Sequence, residues 1–143
     1  MPLFYDWTML LLIPAIVLSL YAQFKVQNSY AKYVKVQSAS GISGAMAAKE
    51  LLQQAGIDDV QVELIQGKLT DHYDPRSKKL RLSKDIYHGS SLAALGIAAH
   101  ETGHAIQHDV GYYPLALRNS LVPVANIGSN AAFPLILIGL LFG

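Results

Sequence analysis

Apolar and polar positions alternate in three different rhythms along the chain. Trp7 to Phe24 runs eighteen residues without a charged side chain and Leu121 to Phe142 runs twenty-two, each long enough to cross a bilayer as a helix. Between them the spacing shortens. Ser43 is placed to cap a helix through Ala47, Glu50, Leu51 and Gln54, with Gly56 to end it. Val60, Val62 and Leu64 alternate with Gln61 and Glu63 as in a half-buried strand, and Leu80 and Leu82 flank Arg81 in another. Asp74-Pro75 initiates a turn before that second strand, so residues 70–82 read as a hairpin. A loop over Ser83–Ser91 then leads into a helix from about Ser90 to about His108, capped by Ser90 or Ser91 and terminated by Gly111. The pattern predicts an α+β membrane protein, with transmembrane helices over 7–24 and 121–142 flanking a small polar domain over 25–120.

Composition sharpens that picture. Of the 143 residues 52% are hydrophobic and 15% charged, and all eleven Lys and Arg lie between the two apolar stretches. A net charge of +1 with no basic stripe argues against a nucleic-acid partner. The first stretch lacks a basic leader region and a small-residue cleavage site, and its apolar run is longer than a signal peptide needs, so it is expected to be a retained anchor. Lys25, Lys32 and Lys35 follow it, Arg118 precedes the second stretch, and Asp6 alone is charged before the first. By the positive-inside bias the polar domain belongs on the cytoplasmic face of a bacterial inner membrane, with membrane lipids around both helices. The absence of cysteine is compatible with either side. Pro14, Pro123 and Pro134 are kinks that membrane helices tolerate, and Asn126 with Asn130 suits hydrogen bonding between helices. No signature of an oligomeric state is visible.

The chemistry concentrates in His100-Glu101-Thr102-Gly103-His104. A spacing of four stacks His100 and His104 about 6 Å apart on one helical face, where both imidazoles can reach one Zn2+ ion. Glu101, on the flank of that face, is placed to take a proton from a zinc-activated water and carry it to a leaving amine. The plain alternative is an amphipathic helix with solvated histidines. Context favours the metal: at 100° per residue Ala93, Ile97, His100, His104 and His108 share one side while Leu95, Ala99, Thr102 and Ile106 share the other, giving a chemical face and a core face. Small residues at Ala94, Gly96, Ala98, Gly103 and Ala105 allow close approach of neighbours.

A catalytic zinc ordinarily takes three protein ligands. His108 lies about 12 Å along the axis from His100, which suits a cleft wall or an outer hydrogen-bonding group better than a ligand. The positions of a Met-turn protease's glycine and third ligand are occupied by Gln107 and Val110, which excludes that class. Asp71, His72 and His88 are the upstream candidates to fold over the site, against the alternative that Asp71, His72 and Asp74 serve the turn. The hairpin is also a candidate to bind a substrate backbone by strand addition.

Taken together, Leu69-Thr70-Asp71-His72-Tyr73-Asp74-Pro75-Arg76, Arg81-Leu82-Ser83, Tyr87-His88-Gly89, residues 98–107 and residues 121–129 resemble the YugP-like membrane zinc metallopeptidases of bacteria. The resemblance implies a zincin-like domain, zinc ligands at His100 and His104, a catalytic Glu101, and proteolysis of a protein or peptide substrate. Members of that family continue past the second apolar stretch to a Glu-Phe-Asn-Ala-Ser-like motif that resembles a third-ligand glutamate, whereas the last acid here is Asp109. The expectation is therefore an incomplete first shell, weak zinc binding and slow or absent hydrolysis. The alternative function is a shortened membrane protein that binds zinc or a partner without catalysis.

Overall fold

The computed structural model describes residues 10–142. In chain order these form α1 (Leu12–Tyr33), α2 (Gly44–Gln54), β1 (Gln61–Ile65), β2 (His72–Asp74), β3 (Lys79–Ser83), α3 (Lys84–Tyr87), α4 (Leu92–Asp109) and α5 (Tyr113–Phe142). The α+β class holds. Among the described residues α5 is the one helix long and apolar enough to cross a membrane. Of the expected first span, residues 7–9 lie outside the described residues, and the remainder continues unbroken past Phe24 as α1, acquiring Lys25, Gln27, Asn28 and Lys32 on the way. The helix that contains the second apolar stretch starts before that stretch does. α5 begins at Tyr113, with Pro114 in the first turn, where its missing N–H costs nothing, so Arg118 and Asn119 are helical rather than part of a connection.

The sheet is mixed, in the order β1-β3-β2. β2 and β3 form the expected hairpin, antiparallel with Tyr73 opposite Leu80 and His72 opposite Arg81. β1 joins the other side of β3 in parallel, pairing Val62 with Leu80 and Leu64 with Leu82. That leaves β2 with one unpaired edge. The predicted loop over Ser83–Ser91 contains a correction, the short helix α3, formed because Ile86 is fully buried against Leu80, Leu82, Ala48, Ala94 and Ala98.

Both longer domain helices are closed by side chains the sequence marks. Ser43 Oγ accepts from Met46 N–H, and Ser91 Oγ accepts from Ala94 N–H at 3.1 Å. At the far end of α4, Gly111 takes φ 66, its N–H donates to His108 O, and Tyr112 N–H donates to Gln107 O at 2.8 Å. This pair of bonds is a Schellman cap, and the left-handed residue it requires is the reason for glycine.

The core face of α4 differs from the expected one. Ala94, Ala98, Thr102 and Ala105 are its fully buried stripe, Ala93 is buried beside them, and Ala99, placed in the core by periodicity, is exposed. Small size explains the shift, because α2 approaches α4 closely at Gly44. A Cβ on Gly44 would lie 2.3 Å from Ile86 O and 3.2 Å from Ala94 O. Thr102 is admitted to this stripe because its hydroxyl donates to Ala98 O at 2.7 Å, leaving no buried polar atom unpaired.

Candidate metal centre

His100 and His104 lie on an unbroken stretch of α4, on the side turned from the alanine stripe, with ring centroids 4.7 Å apart and planes at 79°. His100 is exposed and His104 half-buried. His104 Nδ1 is 3.1 Å from Gln107 Oε1. An amide oxygen only accepts, so Nδ1 is the donor in this contact, which leaves Nε2 as the nitrogen that a metal would take.

Glu101 and His104 open on one cleft of about 400 Å3, whose other walls are Asp71, His72, Tyr73 and Pro75 from the hairpin and Leu115, Arg118 and Asn119 from α5. Three elements thus converge on Glu101. Gln107, Tyr73, Arg118 and Asn119 were absent from the sequence-derived site. Gln107 was legible as the i+3 neighbour of His104, whereas Arg118 enters the cleft only because α5 starts at Tyr113.

The remaining candidates make other contacts, although Asp71 and His72 also line the cleft. The Asp71 carboxylate accepts from Ser83 N–H at 2.6 Å and Ser83 Oγ at 3.1 Å, which ties the loop before β2 to the end of β3. His72 donates from Nδ1 to Thr70 O at 2.8 Å, and its Nε2 faces Arg81 NH1 at 3.4 Å. With one nitrogen protonated and the other beside a guanidinium, His72 is poorly disposed to take a cation. His88 stacks edge-on against Tyr87, in a surface depression with Lys84, Asp85 and Ser90. His108 bonds Tyr73 Oη through Nδ1 at 3.0 Å and does not line the cleft. Asp74 serves the turn: it accepts from Ser77 Oγ at 2.6 Å and from Arg76 N–H at 3.0 Å, which lowers its pKa from 3.8 to about 2. Burial raises the pKa of Tyr73.

Residues 8–143 match the family model described as "Putative neutral zinc metallopeptidase". The chain belongs to this family. It is also 47% identical over 133 residues to the "Putative membrane protease YugP" of Bacillus subtilis (strain 168), an alignment that covers 93% of this chain and 59% of that relative. The chain therefore spans about three fifths of the relative's length. No solved structure matches.

The family's description is of a zinc metallopeptidase, and it implies zinc. The donors of α4 fit that ion in part, since two imidazoles on one helical face are zinc ligands by type and spacing. Among the described residues no group of three His, Cys, Asp or Glu side chains comes together around them.

Proposed function

We propose that this chain carries the metal-binding helix and much of the substrate cleft of a membrane-bound zinc endopeptidase. His100 and His104 would hold the ion. When bound there, zinc supplies Lewis acidity, polarising a scissile carbonyl and easing deprotonation of water. Glu101 is the general base. It takes the proton of the attacking water and returns it to the amine as the peptide bond breaks. Gln107 orients His104 from behind.

The observation that carries this reading is that Glu101 and His104 share a cleft with an edge strand. β2 pairs on one side only, so a substrate segment can lie along its free edge in extended form, hydrogen-bonded through its backbone beside Glu101. Replacing Glu101 with Gln should abolish casein cleavage while stoichiometric zinc remains, because a base is lost and the ligands are not. Loss of zinc along with activity would remove Glu101 from that role.

A second reading rests on the missing third donor among the described residues. In it the 143-residue polypeptide binds zinc weakly through two imidazoles and hydrolyses peptides slowly or not at all. Tight stoichiometric zinc with turnover dependent on Glu101 would eliminate this reading.

Lys25, Lys32, Lys35 and Arg118 support a cytoplasmic position for the polar domain in a bacterial cell, by the positive-inside bias. Labelling of Ser38→Cys by an impermeant thiol reagent on intact cells would reverse that orientation.

A further inference from the structure

Where α1 leaves its apolar half it runs past the start of α4, and an open cavity of about 600 Å3 lies between the two helices. Its walls are aliphatic and aromatic, with Leu18, Tyr21 and Val26 on one side and Leu92, Ile97 and Leu69 on the other. One ammonium group stands in this otherwise apolar wall, and a second reaches it from outside over a wall tyrosine. Lys25 lies in the wall with Nζ 5.9 Å from the Tyr21 ring centroid, and Lys68 holds Nζ 5.5 Å from that of Tyr30, another wall residue. Residues 7–49 contain four lysines and no Asp or Glu. Two carboxylates act on Tyr30, Asp85 and then Asp71, and that of Asp71 is already bonded to Ser83.

The loop between β1 and β2 adds an independent sign. Leu69 is held at φ 55, a left-handed conformation that branched side chains seldom adopt, and is 44% exposed. The same turn sets Leu69 into the cavity wall and Lys68 over Tyr30. An apolar slot with cations at the level where the charge-free stretch ends at Phe24 has the layout of a bilayer interface, acyl chains on one side and phosphates on the other.

We propose that this cavity seats one anionic membrane phospholipid, with an acyl chain along the groove and its phosphate between Lys25 and Lys68. A purely apolar occupant would leave both ammonium groups with only their tyrosine rings, and a zwitterionic lipid brings no net charge to meet them. The seated lipid would touch α4 at Ala93, Gly96 and Ile97, one turn before His100, and so brace the metal helix against α1. This site stands whether or not the chain is a peptidase.

The test is native mass spectrometry of the purified chain in neutral detergent, titrated with phosphatidylglycerol or phosphatidylcholine. A single phosphatidylglycerol adduct is expected, preferred about thirtyfold, with each lysine near an anionic headgroup contributing about fivefold. In the Lys25→Gln/Lys68→Gln double variant that preference should fall to near parity. Gly96→Leu fills the groove into open space, since a Cβ there meets nothing within 4 Å, and should remove the adduct of both lipids without unfolding the chain. Equal affinity for the two lipids, a preference that survives the double variant, or an adduct indifferent to Gly96→Leu would each overturn the site. A lipid-free dimer would instead give the groove to a second copy.

Discussion

The hydroxyl of Tyr73 and Nδ1 of His108 stand 3.0 Å apart, joining the middle of edge strand β2 to the last turn of α4. It is a direct side-chain link between the helix that carries Glu101 and the strand proposed to hold substrate. Tyr73→Phe removes the hydroxyl and keeps the ring. Stability measured by urea denaturation should fall by about 1 kcal/mol, as for one partly exposed hydrogen bond. KM for an extended peptide should rise more than kcat falls, and an unchanged KM would separate the link from substrate binding.

Gln107→Leu is expected to weaken zinc binding about tenfold, since partners that orient a ligating histidine typically contribute that much or more. Isothermal titration with zinc measures it. Helicity by circular dichroism should not change, because Gln107 is not in the core. Unaltered affinity would show that the 3.1 Å contact with His104 does not select the tautomer.

Gly44→Ala places a methyl group 2.3 Å from Ile86 O, against backbone that has no side chain to swing aside. The variant should lose about 2 kcal/mol of stability or more, within the usual cost of overpacking. Gly96→Ala, on the open side of α4, is the control and should be neutral or slightly stabilising in the same thermal melt.

Asp74 gives the hairpin a defined acid limit. Its folded pKa of about 2 lies below its ordinary 3.8, so its contribution is fully present above that ordinary value and is lost as pH falls through about 2. Amide hydrogen exchange of Arg76 and the turn should quicken over that interval, and in Asp74→Asn it should be fast already at neutral pH. A flat profile in the parent chain would mean that the Ser77 and Arg76 contacts do not hold the turn.

Local signals served the sequence well. Ser43, Ser91, Gly56 and Gly111 sit at helix ends because caps need only neighbours in the chain, and the alternation of Val62, Leu64, Leu80 and Leu82 fell on strands for the same reason. What escaped depends on distant partners. The parallel pairing of β1 with β3 joins residues eighteen apart in sequence, Gln61 with Lys79, and skips β2, which lies between them in the chain only. The buried stripe of α4 is written in alanines, which carry little hydrophobic signal, so periodicity favoured the side with Leu95 and Ile106. α3 was missed because four residues show no period. Within the site the stacked histidines followed from spacing alone, while Arg118 and Asn119 reach the cleft from the second turn of α5, which depends on where that helix packs.

The alanines of that stripe have a dynamic consequence. Ala94, Ala98 and Ala105 possess no rotatable side-chain torsion beyond a methyl spin, so seating α4 costs almost no side-chain entropy and offers no alternative rotamers through which the helix can creep. Thr102, the one exception, is locked by its bond to Ala98 O. The two imidazoles therefore stand on a base as stiff as the backbone itself. Their remaining freedom is in their own χ angles, or in displacement of the helix as one rod.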